Sequence, residues 1–414
     1  MKDFNWLKRA SALFAFCLLF LPFFGHAQST KWNDWLATQI EQDPDIIAAR
    51  ERWLGSNFSA DAIEQPIYNP ELSTELERDG DENNFSVGVQ QTIDWWDKRG
   101  VKQQQAKFLR TAAEAQYREQ VLNKTADALD ALVEWYFANR AAMIAQTQKQ
   151  QFDTLLELVE KRQQAGDLGS IDAELTFLTL SQQLVQLTEV EVSLKRAQTR
   201  VHELLPKWSP EQGGIPNDFW PSPLNSVTEQ ELLKHPTVVS AYDNWQFLKE
   251  EAKVRKLAAK AEPTFGINAG RDEGERVIGL TFSIPLNIRN SFNAETRVAE
   301  NKAIEAEARF QSLFRKQRFD WKAAHDTWQR YKQQYSRWQT VVQDRVLNSA
   351  QLFERQWLSG DLSTPNYLLA LNQRAESLLA GIQLEKQTQQ ALIQVLKQSG
   401  LLDTEAIPVL SLTN

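Results

Sequence analysis

Cysteine is nearly missing from this chain: Cys17 stands alone among 414 residues. A single cysteine excludes a disulfide framework and a thiolate metal site. Histidine and methionine are scarce too, at 4 and 2. His202, His235 and His325 lie far apart, whereas metal ligands cluster, so neither a metal nor a cofactor is expected. No Lys/Arg-rich block occurs and the formal net charge is -8, which argues against a nucleic-acid partner. A glycine-rich phosphate loop, a nucleophile elbow and a His-Glu metal motif are all absent, and no enzyme is expected. Long apolar runs are missing as well. Beyond residue 27 nothing approaches the ~18 residues of a spanning helix. What remains is 42% hydrophobic and 24% charged, the balance of a folded protein.

The N-terminus reads as a secretory signal over residues 1–27. Lys2, Lys8 and Arg9 precede the apolar run ASALFAFCLLFLPFF, and Gly25-His26-Ala27 puts small residues where a signal peptidase cuts. Cleavage is expected after Ala27. Phe16, just before Cys17, is too bulky for a lipoprotein site, so the mature chain would carry no cysteine. An exported chain without a spanning helix is either soluble or crosses a membrane as a closed β-barrel, the other structure that satisfies every backbone group in lipid.

The two halves match in order. DPDIIAAR at Asp43 answers HPTVVSAY at His235, NPELSTELE at Asn69 answers EPTFGINAG at Glu262, and FSVGVQQTID at Phe85 answers RVIGLTFSIP at Arg276. KRG at Lys98 answers IRN at Ile288, and RQQAGDLGSIDAEL answers RQWLSGDLSTPNYLL. The separation is roughly 190 residues throughout, which reads as a tandem duplication. Repeats over 28–205 and 226–401 are joined by a Pro- and Gly-dense crossing loop at 206–225, and 402–414 forms a C-terminal tail.

Each repeat opens with two alternating strands, hairpins of about 70–94 and 263–286. Leu72, Thr74 and Leu76 oppose Glu71, Ser73, Glu75 and Glu77, and Ile278, Leu280 and Phe282 oppose Val277, Gly279 and Thr281. The alternation fits a half-buried soluble sheet or the wall of a membrane barrel. Long helices follow over 97–165 and 291–358, free of proline and, past Gly100, of glycine. At 1.5 Å per residue each spans about 100 Å, far beyond a globular helix. Trp321, Ala324, Trp328, Tyr331, Tyr335, Trp338 and Val342 step by threes and fours, and Leu122, Leu129, Tyr136 and Met143 step by sevens around Val133; both patterns predict coiled-coil seams. Return helices are expected over 171–205 and 365–399. Four strands cannot close a useful barrel, so symmetric copies are needed.

NPELSTELE leading through VQQTID to DKRG, and GLTFSIPLNIRNSFNAETRVAENKA in the second half, resemble the TolC-like outer-membrane efflux proteins, specifically their CzcC-like heavy-metal and cation branch. The resemblance covers nearly the whole mature chain. It implies an α+β membrane protein: a homotrimer whose chains each give four strands to a twelve-stranded outer-membrane barrel in the lipid and long helical hairpins to a periplasmic α-barrel. The partners it implies are a periplasmic adaptor and an inner-membrane RND-type pump. The positions matching the adaptor-facing tips are Arg162, Gly166, Asp167, Leu168 and Asp172, then Arg355, Gly360, Asp361 and Leu362. Asn366 stands in the second tip where the first has Asp172, and the lipidated cysteine of many relatives is missing.

Glycine at such a turn adopts positive φ without strain. Leu168 and Leu362 are expected to be exposed for an adaptor, and Asp167 and Asp361 to ring a pore entrance. Glu71, Glu75 and Glu77 are expected to line the barrel lumen as an acidic wall. The expected function is passive export of small solutes, metal cations among them, delivered by the pump. A duct for type I protein secretion and a soluble periplasmic coiled-coil scaffold are the alternatives.

Overall fold

The computed structural model describes residues 24–79, 82–166, 169–220, 223, 226–272 and 275–404. Most of the expected signal segment, Asp167, Leu168 and residues 405–414 of the tail lie outside the described residues. The chain begins with helices α1 (Phe24–Glu41) and α2 (Pro44–Glu64), followed by strands β1 (Glu71–Asp79) and β2 (Glu82–Thr92). The expected cleavage point after Ala27 falls in the first turn of α1. Helix α3 (Lys98–Ala165) then runs 68 residues and returns as α4 (Ser170–Leu204). After the crossing loop come the short α5 (Glu229–Leu232), α6 (Pro236–Ala258), β3 (Thr264–Asp272) and β4 (Glu275–Ser283). Helices α7 (Asn293–Trp338), α8 (Asp344–Leu358), α9 (Thr364–Ser399) and the single turn α10 (Leu401–Thr404) complete the chain. The order α2-β1-β2-α3-α4 thus recurs as α6-β3-β4-α7/α8-α9.

The same backbone devices recur with it. Asp43 precedes Pro44 and His235 precedes Pro236, so each repeat starts a helix with proline in its first turn, where the missing N–H costs nothing. At the two strand-to-helix junctions Asp97 and Phe292 both take φ 54°, an uncommon conformation for residues with a Cβ. The Asp97 carboxylate caps α3 by accepting from the Gly100 N–H at 3.1 Å.

Helix α3 packs on α2, α4, α6 and α9, and α7 packs on α6 and α9. One core gathers Leu36, Ile40, Leu122, Leu129, Phe137 and Leu396, with Trp208 and Phe219 from the crossing loop. The Trp135 and Trp208 rings meet edge to face at 4.6 Å, so this loop is part of the core. A second core lies nearer the Gly166 and Gly360 turns, with Phe152, Leu155, Leu180, Trp357 and Leu368.

The seams differ from the sequence pattern in two ways. Leu122, Leu129 and Val133 are buried, but Tyr136 and Met143 are 40% and 62% exposed. Seven residues fall slightly short of two turns, so a strict row of sevens drifts by ~20° per heptad off its neighbour. In the second repeat Ala324, Trp328 and Tyr331 do close on Ala391 and Val395. The helix expected over 291–358 is interrupted, however, by a π-turn at Gln339–Gln343, within which Val342 stays half-buried, as Tyr335 and Trp338 are before it. A π-turn adds a residue to one turn and resets the facing side chains beyond it. A cavity beside it is lined by Arg140, Tyr335, Trp338, Gln343, Leu347 and Glu385. The Arg140 guanidinium donates to Glu385 at 2.6 Å. Burial, reinforced by the Glu385 carboxylate, pushes the Tyr335 phenol up to about 12.

Gly381 of α9 faces this turn, and a Cβ there would overlap the Trp338 ring. By helix propensity alone Gly381→Ala should stabilise α9 by ~1 kcal/mol. Overlap reverses the sign: Gly381→Ala is expected to lower stability by about 1–3 kcal/mol, read as a lower Tm in mild detergent. In a Trp338→Leu background the same substitution should raise Tm instead.

Candidate functional site: a two-faced sheet, its junction and the helix tips

The four strands form one antiparallel sheet in the order β1-β2-β3-β4, leaving β1 and β4 as its edges. Its register stacks the alternation of all four into two faces. Leu72 pairs with Val89, Val89 with Ile267 and Ile267 with Leu280, a row running across the sheet. Ser73, Gly88, Asn268 and Gly279 form the adjacent row on the other face. On the first face Leu76 and Leu280 are each 87% exposed. Among the described residues nothing covers this apolar face, an exposure larger than that of a half-buried sheet.

The polar face is the crowded one, as an inward-facing side would be. A Cβ at Gly88 would lie 3.0 Å from Ser73 Oγ and 3.1 Å from Asn268 Cβ, and one at Gly270 would overlap the backbone of Phe85 and Ser86. A concavity on this side is lined by Glu75, Glu77, Ser86, Asn268 and Asp272. Glu71, Glu75 and Glu77 share that face and are exposed, Glu71 accepting from Gln90 Nε2 at 2.7 Å. A strip polar on its concave side and apolar on its convex side has the curvature and polarity of a barrel wall segment.

Below the sheet, a buried joint ties the two repeats together. Lys98, the first residue of α3, has its ammonium 3.1 Å from the Glu262 carboxylate, with their side chains only 10% and 3% exposed. The Tyr68 hydroxyl donates to the same carboxylate, and Lys98 Nζ also donates to the Lys260 carbonyl at 3.3 Å. Burial would raise the Asp94 pKa, but the Arg99 and Lys98 backbone N–H groups, each at 2.8 Å, and the nearby Lys98 ammonium outweigh it and hold it below the usual carboxylate range. Trp96 Nε1 donates to the Ala261 carbonyl at 2.9 Å, and Lys260 Nζ sits 4.0 Å over its ring. Trp95 beside it is 65% exposed. The sequence reading missed Glu262, because one glutamate before a proline carries no pattern; its only signal was alignment with Asn69 in the other repeat.

At the first tip Gly166 has φ 79° and its N–H caps α3 by donating to Arg162 and Gln163 carbonyls. Asp172 is exposed in the first turn of α4, where an acid favours the helix dipole. At the second, Gly360 has φ 84°, and the Leu362 N–H reaches back to the Gln356 carbonyl at 3.0 Å. Exposed Asp361 accepts from Ser359 Oγ at 2.8 Å, and Arg355 bonds its own helix at the Gln351 carbonyl. Leu362 is not the free apolar contact expected: it is partly buried against the second core, since the turn folds it back over α8 as helix-ending turns commonly do. The structure brings the tips together through a side chain of each repeat. Arg162 lies 5.3 Å over the Trp357 ring, which stacks on Tyr367 at 4.6 Å.

The fold is shared with solved outer-membrane channels. It is similar to the outer-membrane channel OprN (17% identity, 89% of each chain, TM-score 0.71). It is equally similar to the Campylobacter jejuni CmeC outer membrane channel (14% identity, 89% of this chain and 85% of that one, TM-score 0.71). The Vibrio cholerae outer membrane protein VceC matches at 14% identity over 89% of this chain and 96% of that one, with a TM-score of 0.71. In sequence, residues 41–206 match the outer membrane efflux protein family. No curated protein matches the chain in sequence. Among the described residues no helix is long and apolar enough to cross a membrane.

Glu262→Leu leaves the Lys98 ammonium buried without its partner and is expected to cost about 3–5 kcal/mol, whereas Lys98→Met with Glu262→Leu should recover most of that loss. Denaturant unfolding in detergent measures both. Because the folded Asp94 pKa is depressed, its contribution is present above pH ~4 and lost as pH falls through the lowered value. Asp94→Asn should therefore flatten the acid limb of the stability curve.

Proposed function

We propose that the protein is the outer-membrane channel of a tripartite efflux system, a homotrimer carrying small solutes outward from a periplasmic adaptor and an inner-membrane pump. One observation carries this reading: a curved four-stranded sheet with an apolar convex face, an acidic concave face and both edges unpaired within the chain. In lipid, open edges are not tolerated, so copies must pair β4 of one with β1 of the next until the wall closes. Three copies give twelve strands. Their concave faces line a lumen to which each chain contributes Glu71, Glu75 and Glu77, favouring cations by field focusing.

A second surface supports assembly. Ile171, Leu178, Val185 and Val192 recur by sevens along α4 and are 76%, 62%, 65% and 38% exposed. A heptad stripe without a partner in its own chain is a seam waiting for another helix, here the neighbouring copy in a helical barrel. Helix α3, about 100 Å long by its residue count, extends that barrel across the periplasm. Its tips at Gly166 and Gly360 meet the adaptor, with Asp361 at the entrance. Metal cations fit the acidic wall; the pump and adaptor set the substrate. The soluble-scaffold alternative gives the apolar sheet face no role.

The test is the mass of the detergent-purified protein followed by its conductance in planar bilayers. A three-chain particle with cation-preferring conductance is expected, and Glu71, Glu75 and Glu77 changed together to Gln should bring the cation preference toward neutrality. The difference should fade near 1 M salt, where the Debye length is ~3 Å. A detergent-independent monomer without conductance would contradict the proposal.

A further inference from the structure

The charges of the sheet are sorted by face. By register, Glu71, Glu75, Glu77, Asp272 and Glu275 fall on the concave side, while Arg78, Arg271 and Arg276 fall on the convex side with the apolar residues. The three arginines are exposed and lie toward the hairpin-loop end of the strands, away from the helices. Arg271 and Arg276 are direct cross-strand partners, in a row continuing through Phe85 and Leu76. Like charges placed opposite each other destabilise a sheet pair. A chain that keeps two guanidinium groups there, on its most apolar surface, favours an anion between them. Planar guanidinium forks match a phosphate bidentately.

The position selects the kind of anion. From Phe85, level with Arg271, to Ile93 the strand runs about 26 Å at ~3.3 Å per residue, or about 20 Å of height at a barrel tilt of ~40°, which covers most of a ~25 Å lipid-facing band. Trp95, exposed at the opposite end, marks the other rim. On the reading of the sheet as an outer-membrane wall, on which this rests, the arginine row sits at the headgroup level of the outer leaflet. Leu76 and Phe85 lie in the same row on that face and Ile278 in the next, where acyl chains would pack. We propose that Arg271 and Arg276 bind the phosphate of an outer-leaflet lipid headgroup, a lipid site on the outside of the barrel.

The full-length protein, purified in mild detergent, is titrated with a bis-phosphorylated glycolipid, with the same glycolipid dephosphorylated, and with inorganic phosphate. Retention is read by native mass spectrometry. Recovery as a detergent-dependent multichain particle is scored first, and its failure sinks the channel reading. On intact particles, the phosphorylated lipid is expected to bind at least about tenfold tighter than its dephosphorylated form. Arg271→Gln with Arg276→Gln should erase that preference, Arg276→Gln alone should reduce it, and inorganic phosphate should not compete at matched concentration. Equal binding of the two lipids, an undiminished preference in the double variant, or displacement by inorganic phosphate would overturn the lipid site; the lipid comparison needs no variant to fold.

Discussion

An antiparallel sheet that stops at open edges, and that exposes a face made mostly of apolar side chains, is hard for one chain to satisfy in water or in lipid. In water the exposed Leu76 and Leu280 side chains are costly to hydrate; in lipid the unpaired backbone of β1 and β4 costs several kcal/mol per group. On the proposed reading, the two demands are met together when copies close the sheet on itself inside a membrane. The rest of the molecule follows from that closure. The helices must leave the wall in fixed directions, and their own unpartnered stripe on α4 must find the same neighbours that the strands find.

The joint between wall and helices carries this constraint downward. Lys98 opens α3 and Glu262 precedes β3, so their ion pair locks the first repeat's helix to the second repeat's strand. Buried pairs of this kind contribute little net stability, yet losing either partner is costly. That asymmetry suits a position where two long levers meet. The π-turn at Gln339–Gln343 and the Arg140–Glu385 pair beside it make a different kind of joint, in which a reset of helical phase lets α8 and α9 close the second core while α7 closes on Ala391 and Val395.

The strands, their two faces and the glycine turns were legible in the sequence, because period-two alternation and positive-φ glycine depend on local chemistry alone. So was the pairing of Trp328 with a neighbouring helix, since large side chains at three- and four-residue steps have few other uses. What depended on distant neighbours was not legible. Tyr136 and Met143 continue a row of sevens that the straight helix rotates out of contact, and nothing local announces where the neighbour ends. The π-turn at Gln339–Gln343 was hidden as well, since no proline or glycine marks it. Leu362 looked exposed because its turn is polar, but the Schellman-like return folds it onto α8. The exposed stripe from Ile171 to Val192 was present as sevens all along, hidden by the Thr, Glu and Gln residues between its members.

Closure by neighbouring copies is the central claim, and the absence of cysteine after the expected signal makes it directly measurable. Single cysteines placed in pairs along β1 and β4, from Leu72 to Leu76 and from Ile278 to Phe282, are oxidised in membranes and run without reductant. The account predicts that one register of pairs yields covalent trimers, and that each single-cysteine parent yields none. A panel in which no pair links one chain to another, in membranes that contain the protein, would contradict it.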